Sequence, residues 1–197
     1  MRTVPMPPPT VSTGRTGPAP RVQVHDDAPL VLAAQQDPRK FEPLYTKYYE
    51  PILKFVYKRL DTKQEAYDVA SQVFLNALQN IGKYEDRGFP FSSWLYRIAI
   101  NELNQFFRKN NRYRAVDVQS GEIHHLLAQT EVADRKTDHR LLVEAMTRLS
   151  SMDYLMLEMR YFEDRPFKEI AEILEITENN AKVRTYRALD RLKKVLS

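Results

Sequence analysis

The fold is decided by residues 164–196, DRPFKEIAEILEITENNAKVRTYRALDRLKKVL. Pro166 suits the first turn of a helix, and Thr177 suits the N-cap of a second helix. The apolar positions of the first helix recur at helical spacing, and they are Phe167, Ile170, Ala171 and Leu174. Two short helices joined by a tight turn, with the small Ala171 where they cross, predict a helix-turn-helix. Glu175 stands where this turn often has a glycine.

The second of these helices divides into an apolar and a polar face. Its inward positions are Ala181, Thr185, Ala188, Leu192 and Val195, with Leu189 at the margin. The N-terminal part of such a helix enters the major groove, where asparagine pairs with adenine and basic residues pair with guanine or phosphate. A basic, solvated surface helix would carry the same charges, but the turn and the cap favour DNA. We expect duplex contacts from Thr177, Asn179, Asn180, Lys182, Val183, Arg184, Tyr186 and Arg187.

Composition excludes several classes of protein. The chain has 197 residues and no cysteine, which excludes disulfides, thiol nucleophiles and thiolate metal sites. Its formal net charge of +4 hints at a polyanionic partner. No apolar run approaches the roughly 18 residues of a membrane-spanning helix, and the first residues lack the apolar core of a secretory signal. We therefore expect a cytoplasmic protein with no membrane span.

Hydrophobic periodicity predicts an all-α chain of two small helical domains joined by a flexible linker. Residues 1–28 are rich in proline and lack aromatic residues, which predicts a disordered leader. Residues 29–113 form the first predicted domain and residues 114–137 the linker. The second domain, 138–197, is predicted to hold four helices, at about 138–149, 152–162, 166–174 and 178–195.

The first domain shows clear helix signals. Asp37 and Pro38 predict a helix start, and Pro51 predicts a kink or a break in the helical stretch that surrounds it. Gly82 ends the next helix, and another is predicted from Ser92 or Ser93 to about Asn110. The apolar stripe of the helix before Gly82 comprises Ala66, Val69, Ala70, Val73, Phe74, Ala77, Leu78 and Ile81.

The outer face of that helix is a candidate protein interface. Asp68, Ser71, Gln72, Leu75 and Gln79 lie away from the apolar stripe. Leu75 is predicted to be exposed beside a carboxylate and two amides. Since a single exposed leucine is normal on a protein surface, an interface and an ordinary surface are equally good interpretations.

Aromatic and basic side chains interleave in residues 82–114, GKYEDRGFPFSSWLYRIAINELNQFFRKNNRYR. Unstacked bases can stack on aromatic rings while cations hold the backbone, which favours single-stranded DNA. We expect Leu95, Ile98 and one of Phe106 or Phe107 in the core, and exposed Phe89 and Phe91 flanking Pro90. The candidate single-strand contacts are Lys83, Tyr84, Arg87, Phe89, Phe91, Trp94, Arg97 and Arg108.

Together and in this order, these segments resemble the sigma-70 family, specifically its extracytoplasmic-function group, which retains the second and fourth sigma domains. The most specific stretches are LYTKYYEPILKFVYKRL, DVASQVFLNAL, FSSWLYRIAIN, EIAEILEIT and AKVRTYRAL. The resemblance implies an alternative sigma factor that binds core RNA polymerase and directs promoter-specific transcription initiation.

The resemblance also implies roles for particular residues. The residues implied to bind the clamp helices of the largest polymerase subunit are Asp68, Ser71, Gln72, Phe74 and Leu75. The loop from Lys83 to Phe91 and the helix from Trp94, with Asn101, are implied to open the −10 element and capture a flipped base of the non-template strand. The helix from Glu178 is implied to read the −35 element. The polymerase flap and an anti-sigma factor are further implied partners.

Two other classes of function compete with this interpretation. A stand-alone helix-turn-helix regulator explains the C-terminal domain equally well, but it leaves the aromatic and basic segment of the first domain unexplained. An enzyme is disfavoured because the chain has neither a phosphate-binding GxxxxGK[ST] motif nor a zinc-binding HExxH motif. We expect no catalytic residue, no metal and no cofactor.

Overall fold

The computed structural model describes residues 26–110, 146 and 149–196. Within these ranges every regular element is helical and none is a strand, which confirms the all-α prediction. The predicted linker, most of the helix predicted at about 138–149, and the leader up to residue 25 lie outside the described residues. None of the described helices combines the length and apolar character needed to cross a membrane.

The N-terminal domain is built from four α-helices and two short 3-10 turns. The α-helices are α1 (Ala28–Gln36), α2 (Glu42–Tyr57), α3 (Lys63–Asn80) and α4 (Phe91–Asn110), and the 3-10 turns are Pro38–Phe41 and Ile81–Lys83. Helix α3 packs against both α2 and α4. Its predicted apolar stripe is buried except for the half-buried Leu78, which confirms the periodicity.

Helix α1 begins inside the segment predicted to be the leader. Asp27, just before it, is 4% exposed and accepts hydrogen bonds from Lys47 Nζ, at 2.6 Å, and from the Tyr48 hydroxyl. At the other end, Gln35 Nε2 donates to the carbonyl oxygens of Ile81 and Tyr84 at 3.2 and 2.8 Å. These polar contacts attach α1 to α2 and to the loop before α4.

Proline and capping signals have mixed outcomes. Asp37 accepts a hydrogen bond from the Arg39 backbone at 3.1 Å, so the predicted helix start is confirmed, as a 3-10 turn. Of the two outcomes expected at Pro51, the break is wrong, because α2 runs through this residue without interruption, and the kink stays a prediction. Ile52 and Phe55 follow Pro51 and are buried. Their packing offsets the one backbone hydrogen bond that proline removes.

The C-terminal domain contains the predicted helix-turn-helix. Helix α5 (Ser151–Leu157) continues into a π-helical turn, Glu158–Phe162, and is followed by α6 (Phe167–Leu174) and α7 (Glu178–Leu196). These elements confirm the last three helices expected from the sequence.

The turn between α6 and α7 has the geometry that the sequence predicts. Glu175 adopts the left-handed conformation, with φ 54° and ψ 42°, at the position where glycine is common. Thr177 Oγ1 accepts a hydrogen bond from the Asn180 backbone at 3.2 Å, as an N-cap residue does. A non-glycine residue thus closes the turn, and the side chain of Glu175 stays exposed.

The two domains pack against each other, since α6 lies against α4 as well as against α7. Buried apolar residues of both domains form one continuous cluster. The contact explains a difference from the predicted buried face of α6. Ile173 is 1% exposed, whereas the predicted Phe167 and Leu174 are only half-buried, because α6 has partners on two sides.

Candidate nucleic-acid interface

An aromatic cluster lies at the start of α4. The Phe91 ring is centred 5.3 Å from the Tyr84 ring, 5.4 Å from Trp94 and 5.9 Å from Tyr48. Phe91 is only 1% exposed, so the expectation that its ring faces solvent is wrong. Phe91 is the first residue of α4, and these three rings cover its side chain. Phe91 therefore supports the cluster, while Tyr84 and Trp94, both half-buried, present its accessible surface.

Basic residues surround this aromatic surface. Lys83 and Arg87 are exposed, and the Arg97 side chain retains 20% exposure. They border a cavity of about 210 Å³ whose lining is Lys83, Tyr84, Glu85, Arg87, Phe89, Pro90, Ser93, Trp94, Arg97 and Glu172. An aromatic wall with cations at its rim can stack a base and hold a phosphate.

A second groove of about 360 Å³ adjoins this cavity, and Lys83, Trp94 and Arg97 line both. The groove also contains Asn76 and Asn80 of α3, which the sequence reasoning missed. Asn80 Nδ2 donates to Asn76 Oδ1 at 2.8 Å. The detectable signal was their spacing of four residues, which places two amides on one helix face.

Burial shifts the acidity of the phenol in the cavity wall. Desolvation, assisted by the nearby Asp86 carboxylate, raises the pKa of Tyr84 to about 12. Like any tyrosine hydroxyl it is protonated at neutral pH, and it can donate a hydrogen bond to a nucleic-acid oxygen.

Two predicted contact residues of α4, Asn101 and Arg108, lie outside the cavity. Asn101 is exposed and lines the second groove, whereas Arg108 is exposed near the end of the helix. Arg108 lies fourteen positions after Trp94, which corresponds to about 21 Å along a helix.

The core prediction for α4 holds for Leu95 and Ile98. Phe106 and Phe107 are both half-buried, so neither enters the core fully.

On α7, all the residues predicted to contact duplex DNA are exposed. The opposite face is buried as expected, with Ala181, Thr185, Ala188 and Leu192 at 0% exposure and Leu189 at 8%. The exposed set is Thr177, Asn179, Asn180, Lys182, Val183, Arg184, Tyr186 and Arg187. Helix α7 thus presents a continuous polar and basic surface opposite its apolar anchor.

The outer face of α3 is available for a protein partner with one exception. Asp68, Ser71, Gln72 and Leu75 are exposed, Leu75 at 47%. Phe74 is 4% exposed and packs on the rings of Tyr45 and Tyr49. Including Phe74 among the contact residues was therefore wrong, because its ring belongs to the core. Tyr45 on α2 and Tyr67 on α3 are also exposed, which the sequence analysis did not anticipate.

Acidic residues of the C-terminal domain reach the basic rim of the cavity. Glu172 Oε1 lies 2.5 Å from Arg97 Nη2 and 3.6 Å from Arg87 Nη1. Glu175 lies 3.4 Å from Arg97 Nη1. Ser93 Oγ donates to Glu169 Oε1 at 2.7 Å. Helix α6 therefore forms one side of this site.

Comparison with known proteins identifies both halves of the chain. The family model for sigma-70 region 2 matches residues 44–113, and the model for sigma-70 region 4 matches residues 139–192. The first covers α2 to α4 with the aromatic cavity, and the second covers the helix-turn-helix.

Curated relatives align over most of the chain. The ECF RNA polymerase sigma factor BldN of Streptomyces coelicolor is 30% identical over 163 residues, which are 79% of this chain and 60% of BldN. The chain thus spans less than two thirds of that relative. The RNA polymerase sigma-H factor of Pseudomonas aeruginosa is 29% identical over 185 residues, covering 86% of this chain and 93% of that protein.

A solved structure has the same fold. CnrH, determined in complex with the cytosolic domain of CnrY, superposes with a TM-score of 0.60 at 17% identity, covering 86% of this chain and 96% of CnrH. With both family regions present in order and relatives that are named RNA polymerase sigma factors, the chain belongs to the sigma-70 family of RNA polymerase sigma factors, in its extracytoplasmic-function group.

Proposed function

We propose that this protein is an alternative sigma factor that binds core RNA polymerase, recognises a −35 duplex element and opens a −10 element. The observation that carries the proposal is the presence on one chain of two different surfaces whose chemistry suits DNA. One is the exposed basic face of α7, suited to a major groove. The other is the aromatic and basic cavity beside α4, suited to unpaired bases.

Recognition of the −35 element is assigned to the first turns of α7. Asn179, Asn180 and Lys182 lie near its N-terminus and are exposed, and Arg187 continues the same polar face. Amides and cations are the groups that distinguish base edges in the major groove. Since most of the binding energy comes from phosphates, affinity for the element falls steeply with salt concentration.

Opening of the −10 element is assigned to the cavity. Trp94 and Tyr84 offer ring surfaces for a flipped base, and their ring centres are 5.1 Å apart. Lys83, Arg87 and Arg97 neutralise the strand around it. The strand that stacks there cannot re-pair with its complement, so binding energy is converted into melting. No bond is made or broken, and the function is non-catalytic.

Polymerase docking is assigned to the outer face of α3, where Leu75 provides an apolar contact among Asp68, Ser71 and Gln72. The clamp helices of the largest subunit are the partner that the family resemblance implies, and the C-terminal domain docks on the flap. Polymerase and promoter place the protein in the cytoplasm. An anti-sigma factor that keeps it from polymerase is part of the same proposal.

Reconstitution with bacterial core polymerase tests this function. Core enzyme alone and core enzyme with the chain would transcribe a pool of templates carrying randomised upstream sequence. We expect transcripts only when the chain is present, from templates that share two motifs at a fixed spacing. A stand-alone regulator would bind DNA without supporting transcription by core enzyme, and that result would overturn the proposal.

A further inference from the structure

A chain of hydrogen-bonded side chains runs from the core of the N-terminal domain to the second groove. Glu102 of α4 is 9% exposed, and its Oε1 accepts a hydrogen bond from Asn76 Nδ2 at 3.0 Å. Asn76 Oδ1 in turn accepts one from Asn80 Nδ2 at 2.8 Å, and the backbone oxygen of Asn76 accepts from the same nitrogen at 2.9 Å. Because Asn76 and Asn80 line the groove, the chain connects a buried carboxylate to the groove wall.

This chain fixes the direction in which each amide faces. A carboxylate offers only hydrogen-bond acceptors, whereas an asparagine amide has a donating nitrogen and an accepting oxygen. Glu102 therefore holds the amide nitrogen of Asn76, which leaves the Asn76 amide oxygen facing Asn80. The amide and backbone oxygens of Asn76 both hold the nitrogen of Asn80. The Asn80 amide is thus held by its nitrogen and has its oxygen left over.

The Asn80 amide oxygen is an acceptor without a partner in the protein. Within residues 26–110 and 149–196, no donor forms a hydrogen bond with Asn80 Oδ1, and the half-buried side chain lines the groove. Asn101 also lines the groove, but no described residue anchors its amide, so either end of that amide can face a ligand. Asn80 therefore has a fixed hydrogen-bonding direction where Asn101 has a free one.

The position of the groove suits a nucleotide next to the one in the aromatic cavity. Lys83, Trp94 and Arg97 line both spaces, so a strand that enters the cavity continues into the groove. Lys83 is exposed and forms no ion pair with any residue that the structure describes, which leaves its charge available for a phosphate. The groove thus combines a free cation for the backbone with a fixed acceptor for a base.

A fixed acceptor distinguishes bases by their exocyclic groups. On the major-groove edge, adenine and cytosine donate from an amino group, whereas guanine and thymine present a carbonyl oxygen. An amino group can donate to Asn80 Oδ1, but a carbonyl oxygen placed there leaves two acceptors facing each other, which is costly when water is excluded.

We propose that Asn80 reads the base next to the flipped base of the −10 element and selects adenine or cytosine over guanine or thymine. Asn76 and Glu102 are positioning residues, because they act by fixing the direction of the Asn80 amide. The inference rests on the proposed function of the cavity and deepens it, since it assigns a base preference to residues of this chain.

The test uses holoenzyme reconstituted from core polymerase and the full chain. Templates carry a recovered promoter in which each base of the −10 element is varied in turn, and sequencing of the transcripts gives the ratio of adenine and cytosine templates to guanine and thymine templates at each position. Asn80→Ala removes the acceptor, Glu102→Gln offers either end of an amide to Asn76, and Asn76→Ala breaks the chain. The matched controls are Asn104→Ala and Glu50→Gln, both at exposed positions outside the groove.

We expect the wild type to favour adenine or cytosine at one position of the element by about two- to tenfold, the range that one net hydrogen bond spans. Asn80→Ala should make the four bases nearly equal there and keep the preferences at the other positions. Glu102→Gln and Asn76→Ala should each lower the preference at that same position, and both controls should keep it. Because each ratio is taken within one variant, a general loss of activity or stability does not change it.

An unchanged preference in Asn80→Ala, or one lowered equally at every position, would overturn the proposal. If Asn80→Ala acts as expected but Glu102→Gln and Asn76→Ala change nothing, the positioning role is wrong. Should urea denaturation show that Glu102→Gln does not fold, Asn76→Ala decides that role. Initiation by the wild type without the preference overturns this inference alone, whereas no initiation overturns the proposed function with it.

Discussion

The two proposed DNA-binding surfaces differ in what already occupies them. The predicted reading face of α7 is open to solvent along its whole length. The cavity beside α4 has its arginines paired with Glu172 and Glu175, and one aromatic ring is covered by Lys168. A surface on one helix is thus available at once, whereas a surface between two domains depends on how they are arranged.

The largest expected effect of a single substitution is a loss of stability in the aromatic cluster beside α4. Phe91→Ala removes a ring that is 1% exposed and contacts Tyr48, Tyr84 and Trp94. Truncating a buried phenylalanine costs about 3–5 kcal/mol in the free energy of unfolding. Urea denaturation should therefore show a large loss of stability, and any loss of DNA opening in this variant reports on folding.

Phe89→Ala is the control for that prediction, since Phe89 lies in the loop two positions before Phe91 and is only half-buried. Its loss of stability should be clearly smaller. Equal losses for the two variants would show that Phe91 is not the support of the cluster.

On the open side, Arg187→Ala should weaken duplex binding by about 1–3 kcal/mol, because an exposed arginine on the reading face contacts base or phosphate. Arg191→Ala is the matched control. Arg191 lies on the same helix but pairs with Asp153 at 2.5 Å. Binding to a selected −35 duplex, measured by fluorescence anisotropy, should change with Arg187 and stay near wild type with Arg191. Equal effects would contradict the assigned face.

A smaller effect, on stability, is expected at the N-cap of α7. Thr177→Ala removes the N-cap bond to the Asn180 backbone, at a cost of about 1 kcal/mol in stability. Thr177→Ser retains a capping hydroxyl and should restore most of that loss. Thermal denaturation distinguishes the two variants. A serine variant as unstable as the alanine variant would show that the Thr177 hydroxyl does not stabilise the start of α7.

The smallest expected effect is on pH dependence at the domain contact. Burial raises the pKa of Glu163 above its ordinary value of 4.5, although Arg165, at 2.6 Å, partly counteracts it. The folded state thus holds the proton more tightly than the unfolded state. The contribution of Glu163 to stability is present below pH 4.5 and declines as pH rises through the folded-state pKa.

Glu163→Gln should remove this contribution, so stability should fall less between pH 4 and pH 7 than in the wild type, as urea midpoints would show. A steeper fall in the variant would contradict the assigned cause.

Patterns within one helix were readable from the sequence, and contacts between distant segments were not. The spacing of Ala181, Thr185 and Ala188 identified the buried face of α7, and Thr177 identified its cap. Phe91 is buried, against expectation, because its burial depends on rings from other segments. The periodicity of α3 does predict a buried Phe74, and only the contact role implied for it by the family resemblance is wrong.

The contact of α6 with the cavity could not be predicted either. Glu169 and Glu172 have the spacing of an ordinary charged helix surface, and only the packing of α6 on α4 brings them to Ser93 and Arg97. For a related reason the sequence does not decide between a kink and a break at Pro51, since packing of the residues after it keeps α2 continuous.

The most direct test of the account is permanganate footprinting of reconstituted holoenzyme on a promoter recovered from the randomised pool. Trp94→Ala and Arg187→Ala would each be compared with wild type, and the reactivity of unpaired thymines would be normalised to the fraction of promoter bound. We predict that Trp94→Ala lowers opening in the bound complexes, whereas Arg187→Ala lowers the bound fraction and leaves opening in those complexes intact. Normal opening by the Trp94 variant, or loss of opening by the Arg187 variant at full occupancy, would contradict the division of work between the two surfaces.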